Sequence, residues 1–293
     1  MKELLKIEFK KSLKNKSFYV SIIIASVFTI LSLIFCINNY QNDMRMMRDL
    51  SRQSEITHIT YAPQMQVDTL FNHWVGGEPV SLGTSVYFFI FPILCAIPYG
   101  WSYCVERKSG YTRTMIVHSG KKVYFLAKYI VTFVSGGLAM VIPLVLNIMM
   151  AAALFPAIKP DVTYGVHYAV FKNSLMSELF YTRPFLYVFL YLCIDFVFCG
   201  LLACCSMAAA SFVRQKYIVT LVPFMICLAL HFSMKFTYDF NNYYNKEFSP
   251  FYYLRPSSVS YPTSFFIIGM TAMVLFVITF TVTNVWEKRH EIY

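Results

Sequence analysis

A chain of 293 residues that is 57% hydrophobic, 18% aromatic and only 14% charged is not a soluble domain, in which about a quarter of the residues carry charge. Mean hydropathy is +0.53, and the apolar excess sits in nearly charge-free runs of about 20 residues or more, long enough to cross a hydrocarbon layer about 30 Å thick. The net charge of +10 would suggest nucleic acid in a soluble protein, but a positive-inside bias accounts for it here, and no nucleic-acid partner is expected.

The chain opens with MKELLKIEFKKSLKNK, which sets Leu5, Phe9 and Leu13 at four-residue steps on one helical stripe. Lys2, Lys6, Lys10, Lys11, Lys14 and Lys16 fill most of the remainder. The pattern predicts an interfacial helix over residues 1–17 that lies on anionic lipid. Calmodulin-target helices share the signature, and the apolar run that follows favours the membrane surface. That run exceeds the h-region of a signal peptide, about 7–15 residues, and no A-x-A site follows it. Phe35 is too bulky for the position before a lipidated Cys36, so neither a signal peptide nor a lipoprotein is expected.

Six spans are expected, at about 18–38, 84–104, 124–156, 184–213, 217–236 and 263–286. The fold class is an all-α membrane protein forming one transmembrane domain over residues 1–293. Spans three and four are long enough to tilt or to project beyond the bilayer. Pro92, Pro98, Pro143 and Pro223 interrupt spans, each removing a backbone donor. The eight cysteines all lie in or beside apolar runs, where they act as small packing residues rather than a disulfide or zinc framework.

Lys and Arg set the orientation. Fifteen lie in the N-terminal segment, the 102–122 loop, the Arg214–Lys216 turn and the C-terminal tail; nine lie in the longer segments on the other side. Both termini are therefore expected in the cytoplasm of a cell whose cytoplasmic membrane holds the chain. An exoplasmic loop at 39–83 is polar and large enough for a small helical cap. The stretch Phe236–Pro262 is dense in aromatic residues, which suits an interfacial or re-entrant segment before the last span; an aromatic substrate gate is the other reading.

The cytoplasmic loop 105–123 concentrates charge. Gly110 fits the left-handed end of the second helix, and Ser119 is a candidate N-cap for the third. Lys121 and Lys122 then fall in a first turn, where the helix dipole disfavours cations, so lipid phosphate or an acidic partner surface must favour them. Residues 111–118 have room for only a short helix along the membrane surface. A solvated loop that merely sets topology is the plainer alternative.

Glu106, Gly110, Ser119, Lys122 and Lys128 keep the spacing of the cytoplasmic loop of type-2 ABC transporter permeases, and the chain resembles that family. Glu106, Gly110 and Lys128 match its Glu-x-x-x-Gly-Thr…Pro-x-x-Arg…Lys pattern by identity, and Lys122 stands at the Arg position. Tyr111 and Ser119 replace the usual Thr and Pro. The N-terminal KIEFKKSLKNKSF also resembles the amphipathic start of those permeases. The motif covers about 40 residues, the topology the whole chain. The resemblance implies the membrane subunit of an ABC exporter, with Glu106, Arg107, Gly110, Arg113, Ser119, Lys122 and Lys128 in a coupling loop docked on a separate ATPase subunit. It implies a second permease copy or a paralogue, with ATP and Mg held by the ATPase and no cofactor in this chain. The substrate class expected is an amphipathic or hydrophobic peptide, lipid or drug.

Enzyme signatures are missing. The Gly120–Lys121 pair continues into Lys122 and residue 115 is Met, so no phosphate-cradling G-x-x-x-x-G-K-[ST] motif is present. His290–Glu291 lacks a second His, the other histidines have no ligand spacing, and no G-x-S-x-G elbow occurs, so neither catalytic nor metal residues are expected. Asp195 lies inside an apolar run, where an ionisable group is a functional candidate. Asn147 falls at similar depth on the preceding span, and two readings stand: a structural hydrogen bond between the two, or a substrate-path or proton role for Asp195. The rival to the transporter is a membrane immunity or sensor protein that uses the 39–83 loop.

Overall fold

The computed structural model describes residues 1–57, 68–164, 168–237, 246–257 and 261–283. Among these the chain is all-helical, with no strand. In order, the helices are α1 (Lys2–Lys14), α2 (Lys16–Thr57), α3 (Leu70–His73), α4 (Leu82–Ala96), α5 (Ser102–Lys108), α6 (Tyr111–Ser119), α7 (Lys121–Leu154), α8 (Ser177–Thr182), α9 (Pro184–Ala209), α10 (Lys216–Thr237), α11 (Pro250–Tyr253) and α12 (Phe265–Thr281). Four of them, α2, α7, α9 and α10, are long and apolar enough to cross a membrane; α4 and α12 are apolar but shorter.

The proline positions separate into two kinds. Pro92, Pro143 and Pro223 lie inside continuous helices. Pro98 lies where the second apolar run breaks, in the turn between α4 and α5. Its freed carbonyl accepts from Asn15 Nδ2 at 3.1 Å, and the neighbouring Ile97 carbonyl accepts from Trp101 Nε1 at 2.8 Å. Side-chain donors thus take over where the ladder fails.

The first span also departs from expectation. At 42 residues, α2 is about 63 Å long at 1.5 Å per residue, so the first part of the expected 39–83 loop continues the helix. Of the remainder, the described residues 68–81 form a small cap in which Leu70, Phe71, Trp74 and Val75 are buried in the main core. Of the aromatic 236–262 stretch, Phe251 and Tyr253 are buried against the bundle. Tyr238, Phe240, Tyr243 and Tyr244 lie outside the described residues, as do His58, His167 and the 284–293 tail.

Helix α9 is the hub, packing on α4, α7, α8, α10 and α12. Its crossing with α7 is tight because small residues meet there. A Cβ added to Gly136 would stand 2.4 Å from Ala203 Cβ, closer than two carbons can approach. Seven of the eight cysteines are buried and unbridged, as packing residues should be; Cys193 is exposed. A second apolar cluster, including Leu4, Tyr103, Tyr124, Phe125 and Met207, lies beneath the α5–α6 segment and positions the site described next.

Candidate functional site

Two glycines delimit α6. Gly110 at φ 77° and Gly120 at φ 79° both occupy the positive-φ half of the backbone map, which side chains disfavour. Nothing lies within 4 Å of a Cβ built on either, so backbone conformation rather than space requires glycine. Between them runs the nine-residue helix Tyr111–Ser119. Gly120, not Ser119, stands at the N-cap of α7. The Ser119 hydroxyl instead donates back to the Met115 carbonyl at 2.7 Å. Ser119 belongs to the preceding helix because Gly120 alone makes the sharp reversal.

The segment is held by a cluster of buried charges. Lys128, on α7, has no exposed side-chain surface; its Nζ lies 2.5 Å from Glu106 Oε2 and 3.2 Å from Glu8 Oε2. Lys11 on α1 approaches the same Glu106 through Oε1 at 2.6 Å. Two tyrosines complete the shell: Tyr124 donates to Glu106 Oε2 at 2.6 Å, and Tyr99 donates to Glu8 Oε2 at 2.5 Å. Lys11 also lies 4.1 Å over the Tyr111 ring, and Lys128 lies 4.7 Å over that of Tyr99. Two carboxylates and two ammonium groups make the cluster neutral, which is what allows charge to be buried.

Burial alone would raise the Glu106 carboxyl, but the Lys128 charge and the hydrogen bonds from Lys11, Lys128 and Tyr124 outweigh it and hold the group below its usual range. Burial likewise pulls Lys11 down, and the Glu106 hydrogen bond with the charges of Glu106 and Glu8 more than restores it, leaving it above the ordinary lysine value. Both shifts favour the ionised pair. The cluster joins three parts of the chain: α1, the α5–α6 segment, and the start of α7.

Glu106 and Lys128 thus come together. Arg107 turns away, donating to the Ser211 carbonyl at 2.6 Å and so tying α5 to the end of α9. Arg113 on α6 is exposed, as are Val117 and His118 on the same helix, Lys108 at the end of α5 and Lys122 at the start of α7, so the α5–α7 turn presents a basic outer face. On α1 the buried stripe is Leu4, Glu8 and Ser12. Leu5 and Phe9 are half-buried and Leu13 is exposed, so the Leu5–Phe9–Leu13 stripe lies beside the protein contact rather than in it. That arrangement leaves the stripe facing the surroundings, where an apolar edge belongs in lipid.

Glu8 is the member that residue patterning overlooks. The signal is present: a carboxylate amid six lysines, four residues from both Leu4 and Ser12. Tyr99 and Tyr124 carry no such signal, since tyrosine is common at helix ends near a membrane surface.

The expected bond between Asn147 and Asp195 does not form. Asn147 Oδ1 accepts from the Val75 amide at 2.9 Å and Nδ2 donates to the Thr29 carbonyl at 2.9 Å, joining the cap to α2 and α7. Both Asp195 oxygens lack a partner. The two are not at equal depth: the antiparallel pairing of Gly137 with Phe196 and of Phe133 with Gly200 sets Asp195 near Met140, and Asn147 lies about 10 Å farther along α7 at 1.5 Å per residue. Among the described residues no group of three or more His, Cys, Asp or Glu side chains is placed to hold a metal. Comparisons with protein-family models, curated proteins and solved structures return no match.

Proposed function

We propose that this chain is the membrane-spanning subunit of an ATP-driven exporter of the type-2 ABC permease kind. The observation that carries the reading is the Glu8–Lys11–Glu106–Lys128 cluster. It fastens α5 to an amphipathic helix and to the start of a long membrane helix, and the short surface helix α6 is joined to it through Gly110 and through Tyr111, whose ring lies under Lys11. A push on α6 is therefore delivered to α1 and α7 together, which is the mechanical requirement for coupling ATP hydrolysis in one polypeptide to helix movement in another. The outer face of this segment is basic and exposed, with Arg113 on α6 and Lys122 at the start of α7 available to an acidic groove.

In this proposal six segments span the cytoplasmic membrane, α4 with α5 and α12 supplying the second and sixth. Both termini are cytoplasmic, α11 belongs to a re-entrant segment, and α1 rests on anionic lipid. A separate P-loop subunit binds ATP and Mg, and a second permease copy or paralogue completes the transporter. Two apolar grooves flank α12, of about 460 Å³ and 340 Å³. Lined by Phe133, Met273 and Phe276 in one case and Met176, Phe198 and Phe265 in the other, they suit the hydrophobic part of an amphipathic substrate better than a sugar or an ion.

The test separates docking from folding. Glu106 is unsuitable for charge reversal, because a lysine there would face Lys11 and Lys128. Arg113 is exposed and makes no ion pair among the described residues. Arg113→Glu should leave the stability within about 0.5 kcal/mol of wild type, yet abolish retention of a soluble P-loop ATPase during purification in mild detergent. Absence of any retained ATPase with the wild-type chain would turn the assignment toward a sensor or immunity protein.

A further inference from the structure

Asp195 stands in the middle of α9 with no exposed surface, and neither of its carboxyl oxygens has a hydrogen-bond partner. The side-chain donors on the facing helices that would be expected to meet it are engaged elsewhere. Asn147 is held by Val75 and Thr29. Tyr87 on α4 lies in the neighbourhood of Asp195, but its neutral hydroxyl donates to the Met140 carbonyl at 2.7 Å. Tyr191 and Cys199, one turn to either side on α9, are the other titratable groups in range, and neither is a cation. Among the described residues no lysine, arginine or histidine acts on this carboxyl.

The surrounding packing also excludes water. A Cβ on Gly137 would lie 2.6 Å from the Phe196 ring, and one on Gly200 would lie 2.7 Å from the Phe133 ring. Helices α7 and α9 therefore meet without a gap beside Asp195, at Phe196, and again one turn farther along, at Gly200. A carboxylate in such a place would hold a full charge with neither solvent nor counter-ion, the costliest condition for a polar group. An acid that keeps its proton avoids that cost, and ionisable groups so placed within membrane helices commonly serve proton traffic.

We propose that Asp195 is a proton-binding site. The carboxyl holds a proton while α9 is packed on α4 and α7, and releases it when those helices part and water enters. The ligand is the proton itself, and helix packing controls its release. The inference stands whether the chain is a transporter or a sensor.

The experiment is infrared difference spectroscopy on the full-length protein in lipid nanodiscs, wild type against Asp195→Asn. Asparagine is neutral and nearly isosteric, so the variant should fold. A protonated-carboxyl C=O band should be present in the wild type and lost in Asp195→Asn at about pH 8, where an ordinary aspartate with a pKa of about 3.9 is ionised. A wild type that shows only the carboxylate stretch at that pH would overturn the proposal. The thermal midpoint supplies the second readout. Raising the pH from about 6 to about 9 should lower it in the wild type by several degrees more than in Asp195→Asn, because the packed state alone retains the proton. Parallel curves for the two proteins would refute the link between the proton and helix packing.

Discussion

The two ends of α7 are fastened by different chemistry. At one end Lys128 sits between Glu8 and Glu106 with no solvent access. About 28 Å along the helix, at 1.5 Å per residue, Asn147 joins the backbone of Val75 to that of Thr29 through neutral hydrogen bonds. The same far end carries a hydroxyl group of Ser32, Ser81 and Thr84, linked at 2.9–3.0 Å, and Arg255 donates to the Glu78 and Pro79 carbonyls. At this end the charged groups bond to neutral partners: the Glu78 carboxylate accepts from the Val80 and Ser81 amides and from the Thr84 hydroxyl, and Arg255 donates to backbone carbonyls. A buried ion cluster costs more to break, and its members come from separate parts of the chain. The ion-paired end is therefore suited to moving as one body, and the end held by Asn147 to staying fixed.

The largest expected effect is at Lys128. Lys128→Met removes the central cation and leaves two buried carboxylates facing each other. Breaking a buried pair in this way costs about 3–5 kcal/mol, read as loss of thermal midpoint in detergent. Adding Glu106→Gln should recover part of the loss, since the remaining charge conflict shrinks. If Lys128→Met proved no more harmful than a substitution at the far end, the contrast between the two ends would fail.

Asn147→Leu sharpens the comparison from the other side. It leaves the Val75 N–H and the Thr29 carbonyl without their partner in a buried setting, a cost of about 1–3 kcal/mol. Because no charge is involved, the loss should be the same at pH 5 and at pH 9. A loss that varied with pH would mean that the Asn147 bonds are coupled to Glu78 or to the His73–Asp68 pair of the cap, and the contrast with the ion-paired end would not hold.

How much of this was legible in the sequence depends on how far apart the interacting residues lie. Gly110 and the short helix after it could be read locally, because positive φ and a span-to-span loop are local constraints. Glu106 and Lys128 could be selected by spacing. Their pairing with Glu8, 120 residues from Lys128 along the chain, could not be, since helix periodicity says which face a residue occupies and not which helix comes to meet it. The same limit explains Asn147, whose partners Thr29 and Val75 are 118 and 72 residues away. The long extension of α2 was hidden for another reason: the polar residues of 39–57 read as a loop, although a helix continuing out of a membrane needs no apolar face.

The smallest effect is expected at Lys11, whose side chain is 38% exposed and bridges Glu106 at 2.6 Å. Solvent screens such a pair, so Lys11→Gln should cost at most about 1 kcal/mol, well below Lys128→Met. Its value as a test is directional. The Glu106 carboxyl is held below its ordinary 4.5, so its contribution is complete above that value and fades as the pH falls through the depressed one. The Lys11 ammonium is held above its ordinary 10.5, so its contribution is complete below 10.5 and fades as the pH rises through the raised value. The tether between α1 and α5 should therefore stay constant from about pH 5 to about pH 10. Spin labels at the exposed positions Lys6 and Val117, with Cys193 replaced by serine, would follow it as a distance distribution. The distribution should be narrow across that range and broaden below about pH 4, and Lys11→Gln should broaden it slightly at every pH. Were the Lys11→Gln distribution as broad at neutral pH as that of Lys128→Met, the outer lysine would be the true anchor of α1, and the buried one only a spacer between two acids.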